Sequence, residues 1–103
     1  MAAEKLDLLI LKTLALGPRH GYGIGQRIEQ VSGGVFRVTL GSLYPALQRL
    51  ERAGFIDAEW RNSDHNRRAR YYEITRSGRR RLAVEERDWE RVSAAVARVL
   101  KAT

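Results

Sequence analysis

The chain has 103 residues, the size of one domain, with 19 Lys and Arg against 12 Asp and Glu and a net charge of +7. It has no cysteine, which excludes a disulfide framework and a thiolate metal site, and no run approaches the roughly 18 apolar residues of a membrane span. The sequence pI near 10.5 favours an acidic partner, most often nucleic acid. Without a secretory signal pattern or a linker, we expect one cytoplasmic domain, small enough to gain stability from oligomerisation.

Residues 4–16 predict a helix with apolar residues on two sides. One side includes Leu6 and Ile10, and Gly17-Pro18 ends the pattern. A helix that is apolar on two sides is buried on both, so we expect the second side to contact another subunit. That second side consists of Leu8, Leu11 and Ala15.

Residues 20–31 predict a second helix that opens with His20-Gly21-Tyr22-Gly23. No strand precedes these glycines and their spacing is not that of a dinucleotide-binding fingerprint, which argues against a nucleotide site. Free backbone N–H groups at this helix start could instead hold a DNA phosphate.

The stretch 38–56 predicts a short amphipathic helix that leads into a strand. Its apolar residues recur at spacings of three and four, whereas Tyr44, Gln48, Arg49 and Arg52 fall on the other side. Aromatic, amide and guanidinium groups are those that contact phosphates and base edges, although many surface helices carry them without binding DNA. The helix start is open between two residues. A start at Thr39 leaves Pro45 past the first turn at the cost of a hydrogen bond, whereas a cap at Ser42 places Pro45 harmlessly in that turn.

Two β-prone segments follow, residues 56–60 and 70–75, separated by the polar, turn-rich stretch 61–69. They predict a hairpin with Arg67, Arg68 and Arg70 near its tip. Eight arginines and two acidic residues give the segment 61–81 a net charge of +6, nearly the charge of the whole chain. A basic hairpin after a helix–turn–helix indicates a DNA-binding wing.

The last helix is predicted to begin after Thr75 and to run to about Leu100. Its apolar positions follow a heptad, and a helix of about 25 residues spans more than ~35 Å, which is longer than so small a domain. We therefore expect its stripe to pair with a second helix in a homodimer. The stripe comprises Leu82, Trp89, Val92, Val96 and Val99.

Together these motifs resemble the PadR family of transcriptional regulators, in its short form with one C-terminal helix. The similarity spans about residues 5–100, and the Leu-Tyr-Pro-Ala-Leu helix is its most specific part. The matching segments are His20–Ile24, Gly41–Glu51, Gly54–Ile56, Arg70–Tyr72 and Ile74–Gly78.

The resemblance implies a mainly α-helical winged helix–turn–helix in residues 1–75 and a dimerisation helix in residues 76–103 of the same unit. It also implies a homodimer that binds an inverted-repeat operator in double-stranded DNA, usually as a repressor. Some members release DNA when an aromatic compound binds near the dimer interface, where Trp89 and Leu8 would lie. Candidate DNA contacts are Tyr22, Thr39, Ser42, Tyr44, Pro45, Gln48, Arg49, Arg67, Arg68 and Arg70. The wing insert Asn62–Asn66 is not strongly patterned in the family.

Two other classes of function compete. A winged-helix protein-interaction module would not need the charge concentrated at the wing, and its reading face would be more apolar. An enzyme would have His20 and His65 as its neutral-pH bases, but neither lies in a recognisable catalytic or metal-ligand arrangement. The sequence therefore predicts neither catalysis nor a metal or cofactor.

Overall fold

The computed structural model describes residues 3–62 and 67–103, where it places four helices and a three-stranded antiparallel sheet. In chain order the elements are α1 (Ala3–Ala15), β1 (Arg19–His20), α2 (Gly21–Val31), α3 (Leu40–Arg52), β2 (Ile56–Asn62), β3 (Arg68–Ile74) and α4 (Arg76–Lys101). The strand order β1–β3–β2 places the α2–α3 pair beside a hairpin, as in a winged helix–turn–helix. This confirms the predicted fold class and adds one short strand, β1, that the sequence pattern did not indicate.

The core lies where α1, α2 and α3 meet the inner face of the sheet. Each helix contributes apolar residues at helical spacing, and α1 contacts α2, α3, α4 and β3. The largest side chains with almost no exposed surface are Ile10, Leu11, Leu14, Ile24, Leu43, Leu47 and Ile56.

The turn between α2 and α3 is held by a side-chain hydrogen bond, and the two helices pack against each other beside it. The Glu29 carboxylate accepts a hydrogen bond from the backbone N–H of Val38 at 3.2 Å. Gly25 is buried, and a Cβ built on it would lie 3.7 Å from Leu43 and 3.8 Å from Val38. Gly25 therefore lies where α2 packs against Leu43 of α3, with room for a Cβ at ordinary van der Waals distance.

The hairpin strands run further than predicted, to Asn62 and from Arg68. In the antiparallel register Ile56 lies opposite Ile74 and Trp60 lies opposite Arg70. Residues 63–66, which include His65 and most of the wing insert Asn62–Asn66, lie outside the described residues.

The junction between the hairpin and α4 depends on Thr75 and Gly78. The Thr75 hydroxyl accepts a hydrogen bond from the Gly78 N–H at 3.0 Å and donates one to the Gly54 carbonyl at 2.7 Å. A Cβ on Gly78 would lie 2.0 Å from the carbonyl oxygen of Phe55, so only glycine fits there without a shift of the backbone. The close approach of Gly78 to Phe55 anchors the first turn of α4 against the hairpin. The hydrogen bond from the Gly78 N–H confirms Thr75 as the N-cap of α4.

The expected dimer residues Leu11 and Leu82 require a correction. Leu11 has 0% and Leu82 has 6% of its surface exposed within the single chain, because α1 and α4 pack against each other and against the core. Leu8 and Ala15 are half-buried against that core as well. The prediction that the second side of α1 lacks a partner in its own domain was therefore wrong, since α4 supplies one.

The second half of α4 extends beyond the rest of the molecule. The chain measures 58 × 28 × 22 Å, and 26 helical residues alone span about 39 Å. Beyond Leu82 its apolar residues are largely uncovered. The exposed ones on the predicted stripe are Trp89 (43%), Val92 (37%), Val96 (51%) and Val99 (74%).

Candidate nucleic-acid interface

Helix α3 presents a polar face to solvent and an apolar face to the core. The residues that bury it are Leu43, Ala46, Leu47 and Leu50. Tyr44, Gln48 and Arg52 are exposed on the opposite side, as the periodicity predicted. The face therefore offers a phenol, an amide and a guanidinium group, which together can contact phosphates and donate to or accept from base edges.

The start of α3, which the sequence left open, is at Thr39. The Thr39 hydroxyl accepts a hydrogen bond from the Ser42 N–H at 3.2 Å and donates one to the Ser42 hydroxyl at 3.1 Å. Pro45 therefore lies inside the helix and cannot donate to the carbonyl of Gly41. Both Gly41 and Pro45 are exposed, so this loosened turn lies on the candidate DNA-facing side.

The His20-Gly-Tyr-Gly motif has a structural role that sequence reasoning missed. His20 Nδ1 accepts a hydrogen bond from the Gly23 N–H at 2.9 Å, so the imidazole caps the N-terminus of α2. A Cβ on Gly23 would lie 3.1 Å from that imidazole, and a Cβ on Gly21 would lie 3.1 Å from the Tyr44 ring. Both glycines therefore make room for rings, and the Tyr44 phenol is seated against the start of α2. The signal was present in the sequence only as a histidine at a helix start, which is an unusual cap.

The two faces of the hairpin each carry an arginine over an aromatic ring. On the face toward α3, the Arg68 guanidinium lies 5.6 Å from the centroid of the Trp60 ring. On the other face, Arg61 lies 5.4 Å from the Tyr71 centroid and forms an ion pair with Glu59. Trp60 is 59% exposed and was not among the predicted DNA contacts.

A groove of about 500 Å³ separates α3 from the hairpin. Arg70 crosses the groove near its base, where its guanidinium lies 2.8 Å from the Glu51 carboxylate of α3. Burial raises the pKa of the Tyr72 phenol above its usual value near 10, and the nearby Arg70 opposes this rise, so the phenol is neutral at physiological pH. The lining includes His20, Gly21, Tyr22, Tyr44, Gln48, Glu51, Trp60, Arg68, Ala69, Arg70 and Tyr72.

Arg49 occupies the edge of the α3 polar face and is engaged elsewhere. Its guanidinium lies 2.9 Å from the Asp7 carboxylate of α1. Burial raises the pKa of Asp7, and Arg49 partly offsets that rise. The predicted DNA contacts Arg49 and Arg70 are thus both tied by acids within the chain, whereas Arg68 faces solvent above Trp60.

The structure brings most predicted DNA contacts to one side of the molecule. Tyr22 is 58% exposed at the start of α2, beside Tyr44 and Gln48 of α3. Thr39 and Ser42 are exposed at the N-terminus of α3, and Arg67 is exposed where the described part of the wing resumes. Within residues 3–62 and 67–103, no three His, Asp or Glu side chains are grouped to hold a metal ion.

The predicted dimer and effector residues lie on a different surface. A cavity of about 400 Å³ between α1 and α4 is lined by both Leu8 and Trp89. The Lys5 ammonium lies 4.0 Å from the centroid of the Trp89 ring and covers one side of the indole.

None of the helices in the described part of the chain is long and apolar enough to cross a bilayer.

Residues 10–84 match the model of the transcriptional regulator PadR-like family. Among proteins of known sequence, an uncharacterized 37.1 kDa protein of transposon Tn4556 from Streptomyces fradiae is 40% identical over 93% of this chain. The chain spans about a quarter of the length of that protein, since the match covers 26% of it. A protein of Lysinibacillus sphaericus, uncharacterized protein X, is 31% identical over 84% of this chain and 80% of its own length.

Solved structures of transcriptional regulators share the whole fold. A regulator from Clostridium thermocellum superposes with a TM-score of 0.86 at 26% identity, over 95% of both chains. A PadR-like regulator from Bacillus cereus has a TM-score of 0.82 at 26% identity, over 95% of this chain and 93% of its own. Members of the matched family are transcriptional regulators rather than enzymes, as the sequence predicted. The chain therefore belongs to the PadR-like family of transcriptional regulators.

Proposed function

We propose that this regulator binds an operator in double-stranded DNA as a homodimer, with α3 in the major groove, and that it represses transcription in the cytoplasm. The observation that carries the proposal is the exposed polar face of α3 beside a basic hairpin, in a chain of this family. The major groove of B-DNA admits an α-helix, and most sequence readout there is made by hydrogen-bond donors and acceptors on the side chains of that helix.

On this proposal, Gln48 is the base reader and its neighbours position the helix. An amide can pair with both polar atoms of the adenine edge, and Gln48 is exposed on α3 next to Tyr44. The hydroxyl groups of Tyr22, Tyr44, Ser42 and Thr39 would contact phosphates at the N-terminal end of α3, where the helix dipole also favours an anion. Pro45 would approach the sugar–phosphate backbone through its exposed ring.

The wing contacts are assigned to Arg67 and Arg68. Both are exposed, whereas Arg70 already forms its ion pair with Glu51. We therefore assign Arg70 mainly to holding the hairpin against α3. An arginine in an existing ion pair gains less from a phosphate, because it must first give up its carboxylate.

The proposed dimer forms through the exposed stripe of α4, with Leu8 and Ala15 of α1 at its margin. Isolated exposed apolar residues are ordinary, but a continuous stripe along a protruding helix marks an interaction surface. A two-fold pairing of such stripes would bury them on both subunits at once. It would also place two copies of α3 about one DNA turn apart, or a multiple of it, so the operator would be an inverted repeat.

A flat aromatic compound is the proposed effector class, with Trp89 and Leu8 in its site. The cavity beside them is lined by apolar, basic and acidic groups, and one side of the indole is covered by Lys5 rather than by a core residue. A planar ligand could replace that ammonium on the ring, since stacking needs only one free face. A ligand in this cavity would change the distance between the two copies of α3 in the dimer, because α1 and α4 form both the cavity and the proposed interface.

Selection of genomic fragments across a salt series tests the function. Non-specific binding depends on phosphate contacts and weakens steeply with salt, so a regulator should retain discrete fragments after the bulk of the DNA is released. Those fragments should share an inverted repeat and bind one dimer in sedimentation. Uniform release of all fragments together, or binding of a monomer at a single half-site, would contradict the proposal.

A further inference from the structure

We propose that Trp60 and Arg68 form a two-part clamp on the sugar–phosphate backbone, in which Trp60 contacts a deoxyribose and Arg68 the adjoining phosphate. The inference deepens the proposed DNA-binding function and rests on it. It assigns a role to Trp60, which neither the sequence pattern nor the family resemblance singled out.

The position of Trp60 follows from the pleat of the hairpin. Side chains alternate along a strand, so Ile56, Ala58 and Trp60 share the face that covers the core. Ile56 is fully buried, Ala58 is half-buried and Trp60 is 59% exposed, so the row leaves the core and continues into the groove beside α3. The indole therefore lies on the wall that faces the polar side of the recognition helix, and not on the outer face of the wing.

The opposite wall of the groove carries phenols. Tyr22 is 58% and Tyr44 is 45% exposed there, and both line the groove with Trp60. Three exposed rings around one groove leave a large apolar area uncovered, and their polar tips point to an amphipathic occupant. A phosphodiester strand has that character, because its charged phosphates alternate with sugar rings that present C–H groups.

The placement favours a sugar contact over a base contact. When α3 lies in the major groove, the backbone strand that borders the groove passes between α3 and the wing. The bases of a duplex are stacked inside and present only their edges, so a side chain on the groove wall meets the backbone first. The Arg68 guanidinium is 5.6 Å from the indole centroid, and this cation–π contact holds the charge beside the ring before DNA arrives.

The clamp predicts different salt behaviour for its two parts. Trp60→Leu should weaken binding about tenfold on all sequences without changing the salt slope, because the lost contact is apolar. Arg68→Ala should lower the slope by about 0.9 for each subunit, because a phosphate contact is lost. Trp60→Phe keeps a ring and should recover most of the affinity. The matched control is Arg61→Ala, which removes an arginine stacked on Tyr71 from the opposite face of the same hairpin and should leave the slope unchanged.

Fluorescence gives a second readout that needs no loss of affinity. The chain has two tryptophans, so Trp89→Phe leaves Trp60 as the only tryptophan. Since Trp89 lies on the proposed interface, sedimentation first checks that this conservative variant is in the same oligomeric state as the wild type. We expect the emission of Trp60 to change on addition of a selected operator duplex and to become less accessible to iodide. Unchanged emission and unchanged affinity of Trp60→Leu for DNA that the wild type binds would overturn the clamp alone. Equal loss of slope in Arg61→Ala and Arg68→Ala would also overturn it. Failure of the wild type to retain any discrete DNA site would instead overturn the proposed function and the clamp together.

Discussion

Helices α3 and α4 are both amphipathic, but only α4 leaves a large part of its apolar stripe uncovered. In α3 the apolar stripe is buried at Leu43 and Leu47, and what remains exposed is polar. In α4 the stripe is buried as far as Leu82, but from Trp89 onward its apolar residues are exposed along with the polar ones. The period of a helix determines which residues share its apolar face. The residues that the folded chain leaves exposed then indicate the chemistry of a binding partner. On that basis α3 is suited to a polar polymer and α4 to a second apolar helix.

The largest expected effect comes from placing a charge on the exposed stripe of α4. Trp89→Glu should give monomers whose DNA affinity falls by about 100-fold or more, because two half-sites are no longer bound by one particle. Sedimentation velocity would measure the state and a binding titration the affinity. The matched control is Val84→Glu, since Val84 is similarly exposed on the same helix and lies about 140° around its axis from Trp89. An intact dimer of Trp89→Glu, or dissociation by both variants, would remove the stripe from the interface.

The next largest effect is expected on stability, from a substitution at the N-terminal end of α4, where the helix is anchored to the hairpin. Gly78→Ala places a Cβ 2.0 Å from the Phe55 carbonyl, so the helix must move away from the hairpin, at a cost of about 3 kcal/mol. Urea unfolding would measure the loss. Gly41→Ala is the control, because the nearest atom to its Cβ is 4.0 Å away, and alanine there should stabilise the helix by up to about 1 kcal/mol. Equal stability of the two variants would show that the junction yields easily.

A substitution on the polar face of α3 should change the DNA sequence specificity rather than the free energy of unfolding. Gln48→Ala should cost about 1–3 kcal/mol of affinity at the preferred site and relax the choice of base there. Its unfolding free energy should hardly change, because Gln48 is exposed. Competition between operator variants would measure the preference. If the ranking of sites stays as in the wild type, another residue on the face reads the sequence.

The smallest expected effect concerns the Asp7–Arg49 pair. Because burial raises the pKa of Asp7 in the folded chain, protonation of this carboxyl favours folding. The stabilisation from protonated Asp7 is therefore complete at pH values below the pKa of Asp7 in the unfolded chain. It is lost as the pH rises through the pKa of Asp7 in the folded chain. Asp7→Asn should leave the unfolding free energy at neutral pH within about 1 kcal/mol of the wild type or slightly above it, a difference that should vanish at acid pH. Chemical unfolding at several pH values would measure it.

The same variant tests whether Arg49 is withheld from DNA. Loss of the carboxylate frees the guanidinium, so the salt slope of binding should steepen by up to about 0.9 for each subunit. An unchanged slope would place Arg49 outside the interface in either state. A marked loss of stability would show that the ion pair outweighs the cost of burying Asp7.

Local sequence information determined the elements and much of the candidate surface. The cap at Thr75, the turn after α3 and the buried stripe of α3 depend on neighbours within a few residues, and they were predicted correctly. The same holds for the side of α3 that carries Tyr44 and Gln48, since periodicity alone fixes which residues share a face.

Tertiary structure decided which groups are free to bind. Arg49 meets an acid 42 residues away and Arg70 meets one 19 residues away, and nothing in the local pattern indicates either pair. Likewise, Leu11 and Leu82 are covered because α1 and α4 cross in space, and Gly21 is needed because the Tyr44 ring arrives from another helix. A sequence period gives the direction of a side chain along its own element. What that side chain meets depends on how distant elements pack. Among the described residues, this packing pairs Arg49 and Arg70 with acids, whereas Arg67 and Arg68 are exposed on the wing.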